Sequence, residues 1–191
     1  LAHQLALSLV RSDMKRDPGR PHRASGALQA KVEAALPFSL TPSQRRAVDE
    51  IKQDLSSDER MLRLLQGDVG SGKTLVALLA AAHVIESGKQ AVIMAPTEVL
   101  ARQHLARIAP LAKAAGIRVA ILTGRERGAS RDALLKELAD GSVQLLVGTH
   151  AVFQDDVAFS DLALAVVDEQ HRFGVHQRLA LAGKGIATDV L

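Results

Sequence analysis

Apolar and polar positions alternate along this chain in two different rhythms. Ala91 to Ala95, Ile117 to Leu122, Val143 to Val147 and Leu162 to Val167 are short apolar runs without polar alternation, and Met61 to Leu65 is a fifth. Runs of that length and kind predict strands buried on both faces. Between them, apolar residues return every three or four positions, which predicts helices. One covers Ala27 to Leu36. Another starts at the N-cap Thr41 with Pro42 behind it and carries Ala47, Val48, Ile51 and Leu55 on one side. Lys73 to Glu86 is apolar almost all round, so this helix is expected to be buried, with Ser87-Gly88 ending it. A helix capped by Thr97 is expected to break at Pro110, and a last one runs from about Ser130 to Ala139. Strands alternating with helices predict an α/β fold, a mostly parallel sheet covered by helices on both faces. In such sheets ligands lie beyond the carboxyl ends of the strands.

The start of the chain has a different texture. Leu1, Leu5 and Leu9, with Ala2, Ala6 and Val10 beside them, predict a helix with one apolar stripe. Lys15 to Gly26 holds two prolines, two glycines and four basic residues, and is expected to be a solvated, mobile linker. The organisation expected is therefore a helical leader with a basic linker over residues 1–36, followed by the α/β unit over residues 37–191.

With 191 residues, 47% of them hydrophobic, the chain has material for one good core. No uncharged apolar stretch of about 18 residues is present, and the first residues lack the basic start of a signal peptide, so no membrane association and a cytoplasmic location are expected. Zero cysteines exclude disulfides and thiolate metal sites, and the seven histidines show no zinc-ligand spacing. Residues 1–36 carry six Lys/Arg against three Asp/Glu, whereas residues 37–191 carry eighteen of each, so the net charge of +3 belongs to the leader. That weak positive field is compatible with nucleic acid without pointing to it. Four phenylalanines and no Tyr or Trp disfavour a binder that stacks bases on rings.

The chemistry begins where the Met61 run ends. Gly67, Asp68, Val69, Gly70, Ser71, Gly72, Lys73 and Thr74 match G-x-x-x-x-G-K-[ST] residue for residue. Glycines let backbone N–H groups converge on phosphate oxygens, and the following helix points about half a positive charge at the same place. Lys73 is expected to reach the β and γ phosphates, and Thr74 to offer its hydroxyl to Mg²⁺. The other Gly-rich reading, a dinucleotide fingerprint, fails because Leu75 stands where the third glycine is required. At the far end of the chain, Leu162 to Val167 runs into Asp168 and Glu169, placing two carboxylates at the same sheet edge. Alone, such a pair is as readily a solvated turn. With the phosphate loop upstream, Asp168 becomes a candidate Mg²⁺ ligand and Glu169 the group that orients and deprotonates an attacking water. Taken in isolation, His171 reads as a surface histidine. Gln44 lies three residues after Thr41 and reads locally as the return partner of a capping box, with adenine recognition as the alternative.

Taken in order, GDVGSGKT, Ala95 to Glu98 (APTE), Leu122 to Gly124 (LTG), Gly148 to His150 (GTH) and Asp168 to Val175 (DEQHRFGV) resemble the first motor domain of superfamily 2 helicases. The wording is most similar to the RecG family of bacterial branched-DNA helicases, over Leu36 to Leu191. Transcription-repair coupling factors have a related motor, but their second motif usually reads DEEHRFGV, and Gln170 favours the RecG family. The resemblance implies a RecA-like P-loop NTPase domain using ATP and Mg²⁺, with Gly67, Gly70, Ser71, Gly72, Lys73 and Thr74 around the phosphates. It implies that Gln44, in a Q motif from Phe38, reads adenine, that Phe38 covers the base, and that His171 couples the nucleotide and DNA sites. It also implies that Pro96, Thr97, Thr123, Gly124, Thr149 and His150 line the DNA backbone track. Forks and Holliday junctions are the implied substrates.

The family pattern continues with a T-A-T-P-like motif that is not in the chain, which stops as the run Asp189-Val190-Leu191 begins. The second RecA-like domain with its arginine finger and the wedge domain are expected elsewhere in a full-length protein. In this family the strand leading to T-A-T-P lies between the P-loop strand and the Asp168 strand, so a chain cut there is expected to leave central backbone groups unpaired. The alternative to the helicase motor is a P-loop module that binds nucleotide without turnover.

Overall fold

A computed structural model describes residues 18–68, 70–168 and 188–191. The expected helix at Leu1 to Val10, the first part of the linker, Val69, and Glu169 to Val175 lie outside the described residues. The rest forms helix α1 (Ala27–Ala34), α2 (Pro42–Leu55), α3 (Lys73–Glu86), strand β1 (Gln90–Met94), α4 (Glu98–Ala115), β2 (Val119–Leu122), α5 (Gly128–Ala139) and β3 (Leu145–Gly148). A 3₁₀ turn (His150–Phe153), β4 (Leu162–Val167) and β5 (Asp189–Val190) complete it. The sheet order is β2-β3-β1-β4-β5, with every neighbouring pair parallel. The expected α/β architecture is therefore the observed one.

Side chains alternate across the strands. Ala91, Ile93, Leu145, Val147, Leu164 and Val166 face the cluster built with α1 to α4, whereas Val92, Met94, Leu146, Ala165 and Val167 face the cluster with Leu138 of α5 and Val152. Because both faces are covered, apolar residues occupy every position of β1 and β4 except the entry Gln90. Gln90 is buried and spends its amide on the carbonyls of Leu138 and Val143 and on the Asp161 N–H.

Four expectations need correction. Helix α4 runs through Pro110 without a break. Pro110 and Ala106, the residue whose carbonyl loses its N–H partner, are both exposed, which lets water replace the lost bond and the cost be tolerated. Met61 to Leu65 is not a full strand. Leu62 makes an isolated parallel bridge to Val190, Met61 is buried, and Leu64 is 51% exposed. The central groups that face residues 189–191 are also not left unpaired. Leu191 N donates to Ala165 O and Val167 N to Leu191 O on one side, while Val190 N donates to Met61 O and Arg63 N to Val190 O on the other. Residues 189–191 thus lie between the segment that leads to the P-loop and the strand that leads to Asp168.

Pro18 to Gly26 is also not a solvated linker. Gly19 N and His22 N donate to Asp58 O and Leu55 O, and the Arg20 guanidinium forks onto Asp161, which Lys89 shares. Asp161, Lys89 and Asp189 stand just before or at the start of β4, β1 and β5, so this segment follows the amino edge of the sheet. The His22 ring is buried 3.4 Å from Asp189 Oδ2, while Asp189 Oδ1 accepts from Met61 N at 2.7 Å. Further on, Glu86 at the end of α3 caps the start of α1, accepting from Ser25 N, the Ser25 hydroxyl and Leu28 N.

Two tests follow from these contacts. Asp189→Ala leaves the buried Met61 N–H without its acceptor and removes the carboxylate beside the His22 ring, and is expected to cost on the order of 1 to 3 kcal/mol in urea denaturation; a loss within experimental error of zero would show that the contact contributes nothing. Glu86 gives a pH signature. Burial pushes its carboxyl up, but the bonds from Ser25, Leu28 and Ala27 outweigh this and hold it at about 2, against 4.5 ordinarily. The ionised cap is fully stabilising above pH 4.5 and is lost as pH falls toward 2. The stability advantage of the native protein over Glu86→Gln is expected to be about 1 kcal/mol near neutral pH and to shrink through that window; a difference independent of pH would contradict the ionised cap.

Candidate functional site

Parallel strands empty onto one edge, and the chemistry-bearing loops follow from that. β1 leads to Pro96-Thr97, β2 to Thr123-Gly124, β3 to Thr149-His150 and β4 to Asp168, while the Leu62 segment, parallel to β5, leads to the loop from Gly67 to Thr74. Sequence positions spread over 100 residues are thereby gathered.

The loop has the backbone its glycines were expected to supply. Gly70 and Gly72 have φ of +86° and +85°, a region that L side chains avoid. Gly72 is the N-cap of α3 and provides no side-chain cap, so the first N–H groups of this helix remain available to an anion. A Cβ at Gly72 would also collide with Gln44 Nε2. The Lys73 ammonium lies across the loop, donating to Gly67 O at 2.6 Å and Asp68 O at 3.0 Å.

Gln44 forms the capping box expected of it and a second contact that was not expected. Its Oε1 accepts from Thr41 N and its own N–H reaches Thr41 Oγ1, completing the capping box at the start of α2. Its Nε2 donates to Ser71 O at 2.8 Å, which ties the cap to the phosphate loop. Phe38, three residues before the cap, is 57% exposed.

The residue that sequence reasoning missed is His104. Its Nδ1 lies 3.3 Å from Thr74 Oγ1 and its Nε2 2.8 Å from Asp168 Oδ2, so one imidazole joins the two candidate Mg²⁺ ligands. The signal was present in the pattern. Ala101, His104, Ile108, Ala112 and Ala115 form the buried stripe of α4, and a histidine in a stripe of that kind requires polar partners. Among the described residues no group of three or more His, Asp or Glu side chains is placed to hold a metal by itself. A hydroxyl and one carboxylate suit Mg²⁺, a hard cation that is usually held by one or two protein oxygens together with substrate phosphates and water. Glu169 and His171 lie outside the described residues.

The remaining loops divide by exposure. Thr97 is exposed and its hydroxyl accepts from Leu100 N as the cap of α4, while Gly124 and His150 are exposed and Pro96 is half-buried. Thr123 and Thr149 are buried. The Thr123 hydroxyl donates to Glu126, and Thr149 Oγ1 has no hydrogen-bond partner among the described residues. Burial pushes the Glu126 carboxyl up, but the Thr123 hydroxyl and amide outweigh it, so the net shift is downward. Glu126 pairs with Arg102, which pairs with Glu98, and Arg125 also reaches Glu98 at 3.0 Å. Two exposed arginines therefore stand beside the Thr97 and Thr123 loops, a feature the motif reading did not pick out.

Residues 41–186 match the DEAD/DEAH box helicase family. The chain is 52% identical over 185 residues to the ATP-dependent DNA helicase RecG of Haemophilus influenzae, covering 97% of this chain and 27% of that protein. It is 43% identical to RecG of Thermotoga maritima over 98% of this chain and 24% of the relative. It spans about a quarter of the length of these curated relatives. A solved structure of RecG bound to a three-way DNA junction superimposes with a TM-score of 0.82 at 38% identity, covering 98% of this chain and 25% of that one. No helix among the described residues is long and apolar enough to cross a membrane. With the phosphate loop, the Asp168 strand end and strands β1 to β4 all inside the matched region, the chain belongs to the DEAD/DEAH box helicase family.

Proposed function

We propose that the chain is the ATP-binding half of the motor of an ATP-dependent DNA helicase that acts on branched DNA, such as forks and Holliday junctions, in the cytoplasm. The observation that carries this is the meeting of Lys73, Thr74 and Asp168 at one sheet edge. A second RecA-like domain supplying an arginine finger and a DNA-binding wedge domain are the partners proposed in the same full-length protein. The similarity to RecG proteins and the RecG structure on a three-way junction support the DNA class. The Gln170 wording speaks for this reading over a transcription-repair coupling motor.

The roles follow from chemistry. The N–H groups of the loop from Gly67 to Gly72, together with Ser71 and the start of α3, cradle phosphates, and Lys73 supplies the side-chain cation for the β and γ phosphates. Thr74 and Asp168 would hold Mg²⁺, which would supply positive charge against that of the phosphates. Glu169 orients the attacking water, and His171 couples that event to the DNA site. Gln44 and Phe38 receive the adenine. On the DNA side, Pro96, Thr97, Gly124 and His150 offer backbone and exposed side-chain contacts. Thr123 and Thr149, buried and with their N–H groups bonded to Glu126 and to Leu122 O, hold in shape the loops that present Gly124 and His150 to the DNA. Contacts to phosphate and sugar suit a translocase that ignores sequence.

In the full-length protein Lys73→Ala is expected to abolish tight ATP·Mg²⁺ binding, whereas Glu169→Gln keeps binding and loses hydrolysis. Unchanged affinity of the first variant for a fluorescent nucleotide would sink the phosphate-loop assignment, and a joint loss of binding and hydrolysis in the second would make Glu169 a ligand or a structural group. Gln44→Ala separates recognition from capping. If the amide reads N6 and N7 of adenine, ATP is weakened more than GTP, because guanine presents the wrong donor and acceptor pattern. Equal losses for both nucleotides, with a stability drop of about 1 kcal/mol, would leave only the cap and its tie to Ser71.

A further inference from the structure

We infer that His104 is a positioning residue for the metal site, holding the Thr74 hydroxyl and the Asp168 carboxylate in register with each other, an inference that rests on the nucleotide-binding reading above. The geometry is a three-membered chain. An ionised carboxylate only accepts, so the 2.8 Å contact assigns the hydrogen to His104 Nε2. In the neutral imidazole Nδ1 is then an acceptor, and the Thr74 hydroxyl 3.3 Å away donates to it. This direction matters for the metal. With its hydrogen engaged by the imidazole, the Thr74 oxygen keeps its lone pairs for a cation, and the carboxylate is fixed in rotation by a donor on one oxygen.

The imidazole is itself held. It sits in the buried stripe of α4 between Ala101 and Ile108, 0% and 1% exposed, and its own side chain is 11% exposed. Its backbone position is therefore set by the core, and neither ligand can turn without losing a bond to a group that does not move with it. The alternative is a core histidine that merely uses two convenient partners. Two features favour the positioning role: both ring nitrogens are used, and both go to groups placed to ligate one ion from different chain segments. Partners of this kind, hydrogen-bonded to the ligands rather than to the metal, typically change metal affinity by roughly 10- to 100-fold when removed.

The test measures binding, not turnover, in the full-length protein carrying this chain. A fluorescent ATP analogue is titrated in excess EDTA and then at increasing Mg²⁺, for the native protein, His104→Leu, His104→Gln and His104→Asn, with thermal melting in EDTA alongside. The expected result for His104→Leu is unchanged metal-free nucleotide affinity and melting, with the Mg²⁺ concentration for half-maximal enhancement raised roughly 10- to 100-fold. His104→Gln keeps an amide donor long enough to reach Asp168 and is expected to shift less than the shorter His104→Asn. That ordering carries the test should the leucine variant fail to fold. Unchanged Mg²⁺ dependence in the variants, or equal losses with and without Mg²⁺, would overturn the inference and leave His104 a packing residue. Absence of Mg²⁺-enhanced nucleotide binding in the native protein, with Lys73→Ala no different, would instead overturn the nucleotide reading and the His104 role with it.

Discussion

The site depends on a strand only two residues long. Asp189 and Val190 are paired to β4 on one side and to Met61, Leu62 and Arg63 on the other. Without that insert, the segment feeding the phosphate loop would have no parallel neighbour to set its height relative to Asp168. Four backbone hydrogen bonds do this, each worth on the order of 1 kcal/mol net but costing more if left unmade in the interior. Asp189 strengthens the arrangement from the far end, because its carboxylate caps the Met61 N–H and meets His22 out of solvent. The amino edge and the carboxyl edge of the sheet are thus tied through one short strand.

What was legible in the sequence is what depends on nearest neighbours. Strand and helix identity followed from apolar periodicity, the Thr41 cap from its spacing to Gln44, and the phosphate loop from its glycines. What was hidden depends on long-range placement. Pro18 to Gly26 has no period because it is held by backbone bonds to residues 55–58 and by the Arg20 fork onto Asp161, and a basic Pro/Gly stretch looks the same whether solvated or docked. Pro110 predicts a break because the sequence does not show that it and Ala106, whose carbonyl it orphans, both lie on the exposed side of the helix. His104 was visible only as an oddity in an apolar stripe. Its partners stand thirty residues before it and sixty-four after, and nothing local names them.

Several residues assigned to ligand contact also hold up the scaffold. Gln44 closes a helix cap and braces Ser71, Thr97 caps α4, and Thr123 locks Glu126. A loop bearing many polar groups near a phosphate site can keep its shape only if those groups have fixed partners, since unpaired polar groups would compete for one another and for the ligand. The motif wording therefore records two constraints at once. Substituting such a residue alters the loop as well as the contact, and a loss of binding alone does not separate them.

Helix α4 puts the two halves of the edge on one rigid body. It is capped at Thr97, in the loop assigned to the DNA track, and its seventh residue is His104, which touches Thr74 and Asp168. At 1.5 Å per residue these points are about 10 Å apart along the axis. Its exposed first turns carry Glu98 and Arg102, bonded to the Arg125 and Glu126 loop, while its buried stripe is fixed in the core. The Thr97 cap and the His104 imidazole therefore belong to one helical segment whose buried stripe is fixed in the core, so the loop assigned to the DNA track keeps a constant spacing from the contacts to Thr74 and Asp168.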